Sequence, residues 1–135
     1  MKTIGLNDIQ LDACPEADAV KAAEEFRDFA PLNFKDRISL DYLTREGFVT
    51  AEQVTFNGEP AYVVWWSKTL DNGLSINACQ SLRDGVSVDV AFIAAERIQT
   101  REGCPYLRFA SIRQGLLRHA ERRGYKFETV VMTKG

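Results

Sequence analysis

The chain has 135 residues, of which 45% are hydrophobic and 27% charged, with a formal net charge of −2. That length and composition describe one soluble globular domain over residues 1–135, long enough to bury a core without staples. The longest apolar run, Ala61 to Trp66, excludes a bilayer-spanning helix, and the start "MKTIGLNDIQ" lacks the apolar core of a secretory signal.

After a short apolar start (Ile4, Leu6, Ile9), "CPEADAVKAAEEFRDFA" reads as a helix. Ala19, Ala22, Ala23, Phe26, Phe29 and Ala30 recur at helical spacing, Pro15 suits the first turn, and Pro31 stops it. "FKDRISLDYLTREG" forms a second helix closed by Gly47. Then "FVTAEQVTF", "AYVVWWSK" and "GLSINACQSL" read as three strands of a meander, joined at Asn57-Gly58 and Asn72-Gly73, residues that accept the positive φ of tight turns. The middle strand is apolar on both faces and should be central. In the third, Leu74, Ile76, Ala78 and Leu82 alternate with Ser75, Asn77, Cys79 and Ser81, which gives one apolar and one polar, cleft-lining face. "VSVDVAFIAAERIQTREG" is a helix ending at Gly103, "PYLRFASI" a strand, and "RQGLLRHAERRG" a helix with Ile112, Leu116, Leu117 and Ala120 on one stripe and Gly124 as its stop. "YKFETVVMTK" closes the chain as a strand. The order β-α-α-β-β-β-α-β-α-β is an α/β sandwich with a mixed sheet. The strands ending near Leu82 and starting near Pro105 should be parallel neighbours, bridged by the helix from about Val86.

Cys14, Cys79 and Cys104 form no C-x-x-C pair, which fits a reducing cytoplasm and argues against disulfides or a zinc cluster; the lone His119 is structural or superficial, and no metal site is expected. Residues 1–82 carry 7 basic and 13 acidic side chains, residues 83–135 carry 10 and 6, so an anionic ligand would meet the second half. Arg113, Arg118, Arg122, Arg123 and Lys126 make a basic helix face, read as solvated rather than as a nucleic-acid surface, since Glu121 dilutes it. Of Trp65 and Trp66, on opposite faces of a strand, at least one is core.

"QSLRDG", Gln80 to Gly85, lies between a strand and a helix, where unpaired helix-start amides favour phosphate. The element order, and above all "LLRHAERRGYKFETVVMTK" with its Gly-aromatic turn at Gly124-Tyr125, resembles the GCN5-related N-acetyltransferase (GNAT) superfamily. The resemblance implies a mixed sheet of about six strands with helices on both faces, and acetyl-CoA held between two splayed strands. Its pyrophosphate would lie on Gln80, Arg83, Asp84, Gly85, Val86 and Ser87. The family loop runs roughly Q/R-x-x-G-x-G/A; Gln80 and Gly85 match its ends, and Arg83 replaces its middle glycine. Arg83 then reaches a phosphate itself, or its bulk and Asp84 make the loop a relic, or the segment is a polar turn with Asp84 or Ser87 as helix cap.

The resemblance also places Ala120 where the family often has a tyrosine acid, so no catalytic residue is assigned. The strand's polar face offers Asn77 and Cys79, Glu52 reads as part of a solvated strand face, Tyr125 as a packed aromatic, and Tyr106 faces either way. Two functions follow. One is an acetyl-CoA-dependent N-acetyltransferase with a poorly kept active site, acting on a small-molecule or protein amine. The other is a non-catalytic binding or assembly protein of the same fold, of a kind known among bacteriophage proteins.

Overall fold

A computed structural model describes residues 4–5, 7–25, 40–109 and 114–126. Along them run β1 (Ile9–Ala13), α1 (Glu16–Glu25), α2 (Leu40–Arg45), β2 (Thr50–Phe56), β3 (Glu59–Lys68), β4 (Leu74–Ser81), α3 (Val88–Glu102), β5 (Leu107–Phe109) and α4 (Gln114–Arg122). This order follows the sequence expectation. The expected closing strand lies mostly outside the described residues, as do Phe26, Phe29, Ala30, Pro31, the first part of the second helix, Ile112 and Arg113. The described sheet therefore has five strands, in the order β1-β2-β3-β4-β5.

Turn chemistry sets the first hairpin. Asn57 (φ 52°) and Gly58 (φ 82°) both take the left-handed conformation, which matches the twist of the β2 and β3 strands they join. The second Asn-Gly pair works differently. Asn72 has φ 68°, but Gly73 does not have positive φ; a Cβ on Gly73 would collide with the Tyr106 ring. Glycine is needed there for close approach, since Tyr106 lies against the backbone where β4 and β5 begin side by side. Neighbouring strands from β1 to β4 are antiparallel, while β4 and β5 are parallel, pairing Leu74 with Leu107 and Ile76 with Phe109. The strand–helix–strand unit is thus formed as expected, with α3 as its crossover.

Helices cover both faces of the sheet. Val90, Ala94 and Ile98, spaced by four along α3, pack on Val54, Val64, Trp66 and Leu74. On the other face Leu40, Val49, Val63, Trp65 and Ala78 form a second core with Ala22 and Leu43 of α1 and α2. Every residue from Ala61 to Trp66 is buried, so β3 is the central strand and both tryptophans are core. Burying each such large side chain contributes about 1.5–3 kcal/mol, which fixes α3 firmly to the sheet. Ser87 caps the start of α3 by accepting from the Asp89 amide at 3.2 Å, and Gly103 (φ 68°) ends it.

The expected alternation in β4 holds only to Ile76. The register with β3 slips there: Trp66 faces Ile76 and Trp65 faces Ala78, leaving Asn77 as an extra residue. Because side chains alternate with period two, one extra residue exchanges the faces beyond it. Ala78 therefore joins the α1–α2 core, Cys79 packs against the α3 core, and Leu82 is exposed beyond the strand.

Candidate functional site

The loop from β4 to α3 lies at one end of the sheet. Gln80 is the penultimate residue of β4, half-buried and paired with Val63. Leu82 still bonds to β3, its amide donating to the Ala61 carbonyl at 2.8 Å, and the Ser81 hydroxyl donates to the Arg83 carbonyl at 2.8 Å. Arg83 turns back onto the β2–β3 hairpin. Its Nε donates to the Pro60 carbonyl and its Nη2 to the Phe56 carbonyl, both at 3.1 Å, and Nη1 lies 3.7 Å from Glu59 Oε2. Asp84 is exposed. Gly85 has φ 81°, with no atom within 4 Å of where a Cβ would stand. Val86 packs on the α3 core, and Ser87 is the helix cap, as one of the open sequence readings had it. Tyr62, on β3, donates its phenol hydrogen toward the carbonyls of Val86 (3.1 Å) and Ser87 (3.3 Å). Burial, aided by the nearby Cys79 thiol, raises the Tyr62 phenol above its ordinary value, so it stays a donor.

The first turn of α3 is also tied to α4. Asp89 Oδ1 lies 2.7 Å from His119 Nε2 and 3.2 Å from Arg123 Nη1, while Arg123 Nη2 holds both oxygens of Glu96 at 2.9 and 2.8 Å. The bond from His119, reinforced by the charges of His119 and Arg123, outweighs burial and holds the Asp89 carboxyl below its usual value. His119 stacks on Phe92, ring centres 5.4 Å apart, so it is a structural histidine. Arg123 faces α3 rather than solvent, which narrows the basic face expected on α4 to Arg118, Arg122 and Lys126 among the described residues.

The candidate acid–base residues are mostly committed elsewhere. Glu52 is not on a solvated strand face: it is 5% exposed, held by Arg101 through two bonds of 2.7 Å and by Trp66 Nε1 at 2.7 Å. Burial raises its carboxyl, but the Arg101 and Trp66 bonds and the Arg101 charge prevail and lower it, which makes it a poor proton acceptor. Burial pushes the Cys79 thiol up to about 12, so it is no thiolate at neutral pH. Asn77 donates to Ser67 Oγ at 2.9 Å. Tyr106 shares its hydroxyl with Thr69 and Asp71 at the far end of β4. Ala120 is buried at 3% exposure, and Tyr125 packs against Phe92 and Phe109, its phenol raised to about 12 by burial, with the Glu96 charge adding and Arg123 opposing. Among the described residues no cluster of His, Cys, Asp and Glu could hold a metal, and no helix is long and apolar enough to cross a membrane.

Sequence reasoning missed Tyr62, the α3–α4 ion pairs and the Glu52–Arg101 pair. Tyr62 sits in the run "AYVVWW" and reads as one more core aromatic; the ion pairs join residues 27 to 49 positions apart, which no local spacing reveals.

No family model and no curated protein matches the sequence. Solved structures do match its fold. A GNAT family acetyltransferase from Staphylococcus aureus superposes with a TM-score of 0.60 at 16% identity, covering 95% of this chain and 98% of that one. An acetyltransferase from Trypanosoma brucei gives 0.59 at 14% identity over 95% and 99%. AAC(6')-Iy, in complex with the bisubstrate analogue CoA-S-monomethyl-acetylneamine, gives 0.58 at 10% identity over 94% and 97%. With a mixed sheet, helices on both faces and this coverage of whole chains, the protein has the GNAT acetyltransferase fold.

Proposed function

We propose that the protein binds acetyl-CoA and transfers its acetyl group slowly to an amine. One observation carries the reading. Gly85 bends the chain with φ 81° at an open position immediately before the capped start of the 15-residue helix α3, at the end of β4. Helix-start amides and a glycine bend suit an anionic pyrophosphate. The segment Gln80, Arg83, Asp84, Gly85, Val86 and Ser87 would hold the cofactor through its backbone, with the Arg83 side chain turned onto the β2–β3 hairpin rather than reaching a phosphate. Neighbours crystallised with CoA or a CoA-containing analogue support the choice of ligand, and aminoglycoside acetyltransferases among them support a small-molecule amine as acceptor, alongside a protein amine.

In the reaction, the amine lone pair forms the N–C bond, the C–S bond breaks, and the amine proton leaves as the thiolate gains one. Two candidate positions do not supply these proton transfers. Glu52 is locked to Arg101 and held ionised, and Ala120 supplies no acid. General acid–base help contributes about 10²–10⁴-fold, so turnover should be slow.

The same two facts, together with the Arg83 contacts, favour a second reading: a CoA-binding or assembly module without catalysis. A thermal melt with CoA, followed by thiol release from acetyl-CoA with a panel of amines, separates them. At a hundred times its dissociation constant CoA should add about 2.7 kcal/mol, visible as a raised melting temperature. No shift at millimolar CoA would sink acetyl transfer and leave only an assembly module that does not use CoA; a shift without amine-dependent thiol release selects a CoA-binding module without catalysis.

A further inference from the structure

We infer that Tyr62 is the positioning residue of the CoA site: its hydroxyl, held on the central strand, sets the direction of the backbone amides that meet the pyrophosphate. The inference rests on the proposed cofactor reading and deepens it. Its grounds are geometric. Tyr62 is buried, 8% exposed, on β3, the central strand of the five, so its ring has little freedom. From there its hydroxyl reaches the carbonyls of Val86 and Ser87 at 3.1 and 3.3 Å.

A trans peptide points its N–H away from its C=O. With the carbonyls of Val86 and Ser87 drawn inward to Tyr62, the amides of Ser87 and Val88 are turned outward. Both belong to the helix-start amides that lack an intrahelical acceptor. The Ser87 carbonyl also accepts from the Val90 amide at 3.1 Å, so the tyrosine and the first turn of α3 fix the same peptide unit from two sides. Aiming the amides before the anion arrives removes an ordering cost from binding, which is how a residue out of ligand reach raises affinity. Without the hydroxyl, Val86, whose carbonyl has no other bond among those described, is free to rotate with the loop.

The test compares wild type with Tyr62→Phe, which removes one oxygen and keeps the ring. Calorimetry with CoA should show affinity about tenfold lower in the variant. Pantetheine, which lacks the pyrophosphate, should compete for both proteins equally. Equal CoA affinity overturns the inference. So does an equal loss for CoA and pantetheine, because general loosening of the fold would weaken both. Absence of CoA binding by wild type would instead sink the cofactor reading, a separate and visible result. If the variant does not fold, amide NMR of the wild type decides: on adding CoA the Ser87 and Val88 signals should move most, and signals that stay in place would overturn the proposal.

Discussion

Glu52 shows how much one residue's role depends on what the fold sets against it. Its carboxylate is buried on the α3 face of β2, and Arg101 reaches it from the last turn of α3 while passing over the Trp66 ring at 5.9 Å. A carboxylate in that position without its cation would be costly to bury. Arg101→Ala should therefore destabilise the protein, by about 1–2 kcal/mol in urea unfolding; the 3–5 kcal/mol of a fully buried pair is reduced because the Arg101 side chain is 44% exposed. The pH dependence has a definite sign. The Glu52 carboxyl is lowered in the folded state, so its contribution is present above the unfolded value near 4.5 and fades as pH falls through the lower, folded one. The stability gap between wild type and Glu52→Gln should shrink below about pH 4. A gap that stayed constant from pH 7 to pH 3 would show that the carboxylate charge contributes nothing.

At the level of elements, α3 organises the chain. Its inner stripe binds the sheet, its first turn takes the cap from Ser87, and its outer flank docks α4 through Asp89, Phe92 and Glu96. Arg123 joins the two acids and lies over the Phe92 ring at 5.6 Å, so it is the central link of the α3–α4 contact. Arg123→Met keeps most of the apolar stem and deletes the charge. Its expected effect is local: faster hydrogen exchange of the α4 amides, with little change for those of β3. Equal acceleration in both elements would mean that α4 does not open separately from the sheet. The bulge at Asn77 belongs to this scale too. It turns β4 so that Ala78 packs under α1 and α2 while Cys79 packs under α3.

For the molecule as a whole, the charge asymmetry seen in the sequence translates only partly into a field at the candidate site. The second half is basic, yet Arg83 is engaged with Glu59 and two hairpin carbonyls, Arg101 with Glu52 and Glu102, and Arg123 with Asp89 and Glu96. Charges neutralised at close range attract a distant anion weakly. Arg83→Ala should thus change CoA affinity less than about twofold, because the cost of a lost phosphate contact, about 1.5–3 kcal/mol, does not arise. A tenfold loss measured by calorimetry would show that the guanidinium leaves the hairpin to meet the phosphate.

Much of the architecture was readable in the chain itself, for local reasons. Period-two and period-3.6 patterns marked the strands and helices, Asn57-Gly58 a hairpin and Gly103 the end of α3, because each depends on residues within a few positions, while the choice of Ser87 over Asp84 as the cap came from the structure. The parallel pairing of β4 and β5 followed from the length of the connection between them. Tertiary structure decided the rest. The bulge depends on register against β3, Gly73 on a tyrosine 33 positions away, the ionised Glu52 on an arginine at the end of a distant helix, and the course of Arg83 on carbonyls of a hairpin more than twenty residues earlier. Tyr62 is the sharpest case. Its sequence neighbours mark it as core, and only the packing of α3 across the sheet brings two carbonyls within reach of its hydroxyl, since a hydrogen bond is set by distance in space and leaves no period along the chain.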